Sequence, residues 1–433
     1  MKDFLKKTIV HLITFESKLI IKKYQPKIVA ITGSVGKTGT KDAVHALFSK
    51  LFYAEKSPKS FNSEVGIPLS IIGGQKSGWR NPLSWLKVVL DGLFLIILPN
   101  HYPRWLILEV GADRPGDIEE ISNWLKTDVA IFTRMSEVPV HVEFFDSPQS
   151  VLKEKMFLLK SLRSEQGVAV YNYDDEIIRR EIEDRKELTK LSYGFDKKAR
   201  VSASNYAIIY DRKTGFPSGI NFKINFDGSS VPATIYDTVG RQQVYAVLAG
   251  VTAILSQGGN PVKAIEGLLD YRSQPGRMKI LEGVKNSLII DDSYNSSPVA
   301  LFESLDTLKS IKCAGRKIVI LGDMMEIGRY SIDEHKKAGA LVAEFADFIF
   351  TVGVRAKCIN DGALERGFSP EKIFNFGDSR EAGKQVEIMV QPGDIVLVKG
   401  SQSARMERAV EEIMNDPMKK EELLVRQEQS WRF

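Results

Sequence analysis

The chain has 433 residues, 43% of them hydrophobic and 27% charged, which is ordinary for a water-soluble globular protein of two or three domains. A net charge of +5, with 60 basic against 55 acidic residues, argues against a nucleic-acid binder and suits an anionic, phosphate-bearing substrate. The two cysteines, Cys313 and Cys358, show no CxxC spacing, so neither a disulfide framework nor a cysteine metal cluster is expected, and a reducing, cytoplasmic setting is the simplest reading.

Residues 1–25 form the first element. Phe4, Ile9, Leu12, Ile13, Leu19 and Ile20 recur at helical spacing with lysines at both ends, which predicts an amphipathic basic helix over 3–23. It lacks the long apolar core and small-residue cleavage site of a signal peptide. It either packs on the first domain or lies on the inner face of a membrane.

The next domain is expected over 26–270. Residues 28–31 read as a buried strand that breaks into a glycine-bounded turn, followed by a helix-compatible segment over 41–50. In this G-x-x-G-K-T turn, shorter than the common P-loop, the amides around Gly33, Ser34 and Gly36 form a cradle for phosphate. Lys37 reaches the terminal phosphates and the Thr38 hydroxyl suits Mg²⁺; a merely structural turn is the alternative. Residues 82–99 are apolar but carry Lys87 and Asp91, too short and too charged for a membrane span. They predict a buried or partner-facing helix, or one inserted at an interface beside the first helix.

Strands are predicted at 105–110, 129–133 and 168–171, an antiparallel excursion over 205–240, and a helix over 240–255. Glu109 ends an apolar strand, where a carboxylate suits Mg²⁺ better than it suits an unpartnered core. Asn172 and Asp174 fit an Asx turn as well as a ligand contact. Residues 264–277, ending SQPGR, mark a junction at which the planar fork of Arg277 can swing toward phosphates. Over 271–433, strands at 287–291, 317–321, 348–352, 372–376 and 394–398 alternate with helix-length segments. The fold class is therefore α/β: a P-loop ATPase domain with a mixed sheet, followed by a Rossmann-like C-terminal α/β domain.

Six segments in order, TGSVGKTGTK (32–41), FNSEVGIPLS (61–70), LEVGADRPGDI (108–118), DDSYNSSP (291–298), LGDMMEIG (321–328) and VKGSQSARME (398–407), resemble the Mur ligases, the ATP-dependent amide-forming enzymes of peptidoglycan synthesis. The resemblance covers about residues 26–412, and the last three segments resemble most the branch that joins D-alanyl-D-alanine to a UDP-muramoyl tripeptide. It implies ATP and two Mg²⁺ ions, held by Thr38 and Glu109 and by His141 with a CO₂-carbamylated Lys155, although Lys153 lies near enough to confuse the register. It further implies Asn62 near the acceptor and phosphates, and Asp292, Tyr294 and Asn295 against the ribose and adenine. Asp323, Glu326, His335, Lys399 and Ser401 would line the facing cleft, with capping or packing equally open to Glu326 and His335.

Two departures stand out. Gln242, Gln243 and Ala246 replace a histidine and two asparagines of the family, and residues 1–25 stand where the D-alanyl-D-alanine-adding members carry a UDP-gripping domain. The implied partners are a muramoyl peptide and D-alanyl-D-alanine, taken up by a monomer. A related ligase with a lipid-linked, folate or poly-γ-glutamate acceptor, and an idle nucleotide-binding scaffold, are the alternatives. Retention of Lys37, Thr38, Glu109, His141 and Lys155 together argues against the scaffold.

Overall fold

The computed structural model describes residues 2–58, 60–74, 82–164, 166–428 and 431, without the side chains of 2–5 and 82. The N-terminal segment is a helix, α1 (Lys2–Tyr24), in a different register from the one its apolar residues predict. Ile13 and Ile20 are buried as expected, but so are Glu16 and Ser17, while Leu12 faces outward; the side chain of Phe4 lies outside the described residues. The helix packs on α3 (Gly66–Ile72) and α4 (Pro82–Ile97), so it belongs to the first unit.

Strand β1 (Lys27–Thr32) is the buried strand expected before the glycine turn. Helix α2 (Lys37–Ser49) starts earlier than its apolar pattern suggests, because Gly36 takes a left-handed φ of 87° and ends the turn there. Strands β2 (Ala54–Lys56), β3 (Trp105–Glu109), β4 (Val129–Phe132), β5 (Val168–Asn172) and β6 (Thr189–Gly194) follow, with α5 (Asp117–Trp124) and α6 (Pro148–Met156) between them. Then β7 (Val201–Tyr210), β8 (Pro217–Phe226) and β9 (Ser229–Tyr236) form the antiparallel excursion. The sheet order is β2-β3-β1-β4-β5-β6-β7-β8-β9, parallel as far as β7. Strands covered on both faces read as continuous apolar runs, as WLILE and VAIF do. Because β1 lies between β3 and β4, the strand order reverses beside it, and a crevice opens at the C-terminal ends of these three strands.

The helix Arg241–Ser256 follows, one residue later than predicted, and a helical turn at Glu266–Leu269 leads into the junction. The second sheet has the order β10-β11-β15-β12-β13-β14, formed by β10 (Lys279–Gly283), β11 (Ser287–Asp292), β12 (Lys317–Gly322), β13 (Phe348–Val352), β14 (Ile373–Phe376) and β15 (Ile395–Lys399). It is parallel from β11 to β14, with β10 antiparallel at one edge. One continuous apolar cluster runs from the first sheet into this second unit.

Candidate active site

The loop after β1 is shaped by a close approach. Gly33 has φ 150°, and a Cβ there would overlap Thr133 Oγ1, so no side chain fits. The exit of β4 pins the loop: Arg134 O accepts from Ser34 N (2.7 Å) and Val35 N (3.3 Å), and Thr133 Oγ1 donates to Val35 O (2.7 Å). The Ser34 amide, expected to face phosphate, is therefore engaged in holding the loop. The first-turn amides of α2, beyond Gly36, remain the part of the cradle that a helix N-terminus offers to an anion. Lys37 Nζ folds back onto Gly33 O (2.8 Å), and burial holds its ammonium below the ordinary lysine range, against the pull of Glu109.

Register pairs Ile31 with Glu109 and so places this buried carboxylate beside the loop. Glu109 Oε1 accepts from Asn62 Nδ2 (3.1 Å), while Oε2 accepts no hydrogen bond among the described residues and lies 3.8 Å from the buried Lys41 Nζ. A buried carboxylate oxygen without a donor, near a threonine hydroxyl and a phosphate cradle, fits a hard cation whose coordination is completed by phosphate and water. Glu109 and Thr38 therefore suit one Mg²⁺. Asn62 stands where it orients that carboxylate.

Lys155 lies in the last turn of α6 and is buried. Burial, with Lys37 adding to it, pushes its ammonium down to about 7, against the opposing pull of Asp113 and Glu154. Its neighbour Glu154 caps α5, accepting from the amides of Gly116 (2.9 Å), Ile118 (2.7 Å) and Glu119 (3.1 Å). His141, at a left-handed φ of 69°, lies 2.7 Å from Glu326 Oε2 through Nδ1 and 3.5 Å from Asp113 Oδ1 through Nε2. Among the described residues no group of three or more histidine, cysteine or carboxylate ligands converges. His141, expected to share a second metal with a carbamylated Lys155, is paired across the two units with Glu326.

At the junction, Arg277 Nη2 donates to Thr38 Oγ1 (3.3 Å) and the guanidinium lies 4.0 Å from the centre of the Tyr294 ring, whose hydroxyl is 2.8 Å from Ser60 Oγ. Arg277 thus reaches Thr38 of the phosphate loop from the second unit, and Tyr294, expected against ribose and adenine, lies against Arg277 and Ser60. Gln243, in the helix whose family residues it departs from, supports this junction by donating to Arg277 O (3.2 Å) and accepting from Tyr271 OH (3.1 Å). Arg134 also pairs with Glu303 across the cleft.

Several expected contacts fall elsewhere. Asp292 and Lys399 face each other in register on β11 and β15, forming a buried ion pair of 2.5 Å, with Ser304 Oγ on the same carboxylate oxygen. Their charges neutralise each other inside the C-terminal unit. Ser401 Oγ accepts from Met325 N (2.8 Å) and is likewise interior, and Asn295 Oδ1 accepts from Ser296 N (2.9 Å). His335 is fully buried, accepts from Met324 N (2.9 Å) and makes a 2.6 Å contact with Ser331 O; burial lowers its pKa, so it packs as a neutral ring. Asn172 Oδ1 accepts from Asp174 N, the Asx turn foreseen. Asp323 takes the amide of Ala356 (2.7 Å). Sequence reasoning missed Lys41, Asp113 and Glu154, although the first two lie within motif segments it singled out and Glu154 stands between Lys153 and Lys155.

The profile of the Mur ligase middle domain matches residues 93–254, and that of the "Mur ligase, glutamate ligase domain" matches 276–402. The UDP-N-acetylmuramoyl-tripeptide–D-alanyl-D-alanine ligase of Bacillus subtilis is 23% identical over 404 residues, which are 93% of this chain and 79% of that protein. The Escherichia coli enzyme of the same name is 23% identical over 89% of this chain and 76% of its own length. Among solved structures, the MurF ligase of Thermotoga maritima in complex with ADP superposes with a TM-score of 0.74 at 23% identity, covering 93% of this chain and 83% of that one. At that identity the superposition shows a shared fold.

Proposed function

Because the chain belongs to the Mur ligase family, whose middle and glutamate ligase domains match most of its length, we propose that it joins D-alanyl-D-alanine to a muramoyl peptide in peptidoglycan precursor synthesis. The reaction is an ATP-dependent amide ligation through an acyl-phosphate intermediate. The observation that carries this reading is the gathering of Lys37, Thr38, Glu109 and Arg277 at the switch point of the first sheet, where Arg277 of the second unit reaches the phosphate loop.

The residues divide the work as follows. Lys37 and the first-turn amides of α2 bind the terminal phosphates, and Arg277 brings a second cation from across the cleft as charge shifts during phosphoryl transfer. Glu109 and Thr38 would hold Mg²⁺, which would supply charge neutralisation at the phosphates, and Asn62 fixes the Glu109 carboxylate. Lys155 is the candidate for carbamylation: a buried amine that sheds its proton near neutrality forms an N–C bond with CO₂ and releases one proton, becoming an anionic oxygen donor beside Lys37.

The test is ligation itself. Purified protein with ATP and Mg²⁺ is offered UDP-muramoyl tripeptide and D-alanyl-D-alanine, and the product is identified by mass. Phosphate release that needs both acceptor and dipeptide supports the reading; hydrolysis indifferent to either overturns it.

A further inference from the structure

The outward face of α4 carries a run of exposed apolar side chains. Trp85, Val88 and Gly92 face inward, while Leu83, Leu86, Leu90, Leu93, Phe94 and Ile97 recur on the opposite side at helical spacing and are exposed, Leu83 by 77% and Ile97 by 65%. A helix whose outward side is apolar but for Lys87 belongs in a core, a membrane or an interface. Beside it, α1 exposes Phe15 and Leu12. Its outer stripe also carries Lys7, Lys18 and Lys22, and the acidic side chains described on the two helices are only Glu16, buried, and Asp91, half-buried.

A third observation concerns the backbone. The last carbonyls of α4, which have no partner within the helix, are taken by α1: Lys23 Nζ donates to Leu95 O (2.9 Å), Ile96 O (3.0 Å) and Leu98 O (2.6 Å), and Tyr24 OH to Leu95 O (2.9 Å). An apolar helix end whose polar groups are satisfied from within enters a low-dielectric layer without leaving a carbonyl stranded. At about 1.5 Å per residue α4 is about 24 Å long, short of the ~30 Å hydrocarbon core. No helix among the described residues is long and apolar enough to cross a membrane.

We propose that the α1–α4 face docks on an anionic lipid surface, with the α4 leucines and phenylalanine sunk among the acyl chains and the α1 lysines on the headgroups. An apolar wedge and a basic stripe are the two attachments that stable peripheral binding needs. Lipid is favoured over a protein partner by charge: the face is cationic, with no exposed carboxylate described on either helix to specify a partner.

The experiment is co-sedimentation of the full chain with phosphatidylcholine vesicles, with and without phosphatidylglycerol, in the absence of ATP and acceptor, so that its outcome is independent of the ligase reading. Binding should need the anionic lipid and weaken with salt. Leu90→Glu with Phe94→Glu should lower affinity by about tenfold or more, and Lys7→Glu, Lys18→Glu and Lys22→Glu by about fivefold per lysine. All five positions are exposed, so melting temperature should hold and serves as the folding control. Binding equal for wild type and both variants overturns the proposal. So does a dimer, seen by light scattering, that Leu90→Glu with Phe94→Glu dissolves, since the face would then serve a second copy.

Discussion

At the scale of single residues, the chemistry concentrates on a few buried charges. Lys37→Ala removes the cation at the phosphate loop and should lower turnover by about 10²–10³, or about 3–4 kcal/mol in the transition state, with the fold intact; steady-state rates beside a thermal melt check it. Lys155→Ala should abolish ligation, and short carboxylic acids should restore part of it by occupying the space of the carbamate. Labelled bicarbonate should give a carbamate signal by ¹³C NMR in the wild type and none in the variant, and full activity without additive would point to Lys153 or to no carbamate. The loop and Glu109 were legible in the sequence because their signals are local: a strand, a glycine turn, a charge ending an apolar run. Asp292 and Lys399 were misplaced because their meeting depends on the pairing of β11 with β15, which no local pattern encodes. The amide of Ser34 was misread for the same reason, since its acceptor, Arg134 O, lies at the end of another strand.

At the scale of elements, the parallel strands predicted from apolar runs lie within a residue or two of those observed, whereas β2, β6 and β10 were not foreseen and the face of α1 did not follow from its periodicity. Helical spacing of apolar residues nominated Leu12, yet the side packed on α4 takes in Glu16. Glu16 lies against Gly92, where a Cβ would overlap Oε2, and that oxygen accepts no hydrogen bond among the described residues. Burial raises its pKa from 4.5 to about 7. A carboxyl whose folded pKa is raised disfavours folding once the unfolded chain ionises, so the stability deficit grows from about pH 4.5 to pH 7 and is complete above that. Glu16→Gln should therefore raise the melting temperature by an amount on the order of 5 °C at pH 8 and hardly at all at pH 5; calorimetry at the two pH values decides it. The excursion β7–β9 and the alternation of the second unit were readable because each strand carries its own punctuation. The capping of α5 by Glu154 was not, because a cap borrowed from a distant helix leaves no trace near the residues it serves.

At the scale of the whole molecule, the two units meet through Arg277 and Thr38, Tyr294 and Ser60, Arg134 and Glu303, and His141 and Glu326. Polar contacts of this kind exchange readily for contacts to a ligand, so a non-hydrolysable nucleotide with acceptor should draw the units together about the junction. Small-angle scattering should record a fall in radius of gyration, and an unchanged radius would refute the hinge. The two-unit architecture was legible because each sheet announces itself by repetition; how the units face each other was not, since it rests on side chains far apart in sequence. The central place of β1 in its sheet has another consequence, for the newborn chain. Its neighbours are β3 and β4, so this apolar strand emerges about 70 residues before its first partner, which at ~5–20 residues per second is roughly 4–15 s on the ribosome. For that interval the strand that later carries the phosphate loop is an unpaired, sticky edge. The pace of translation between residues 33 and 105 therefore sets how long that edge waits for a partner.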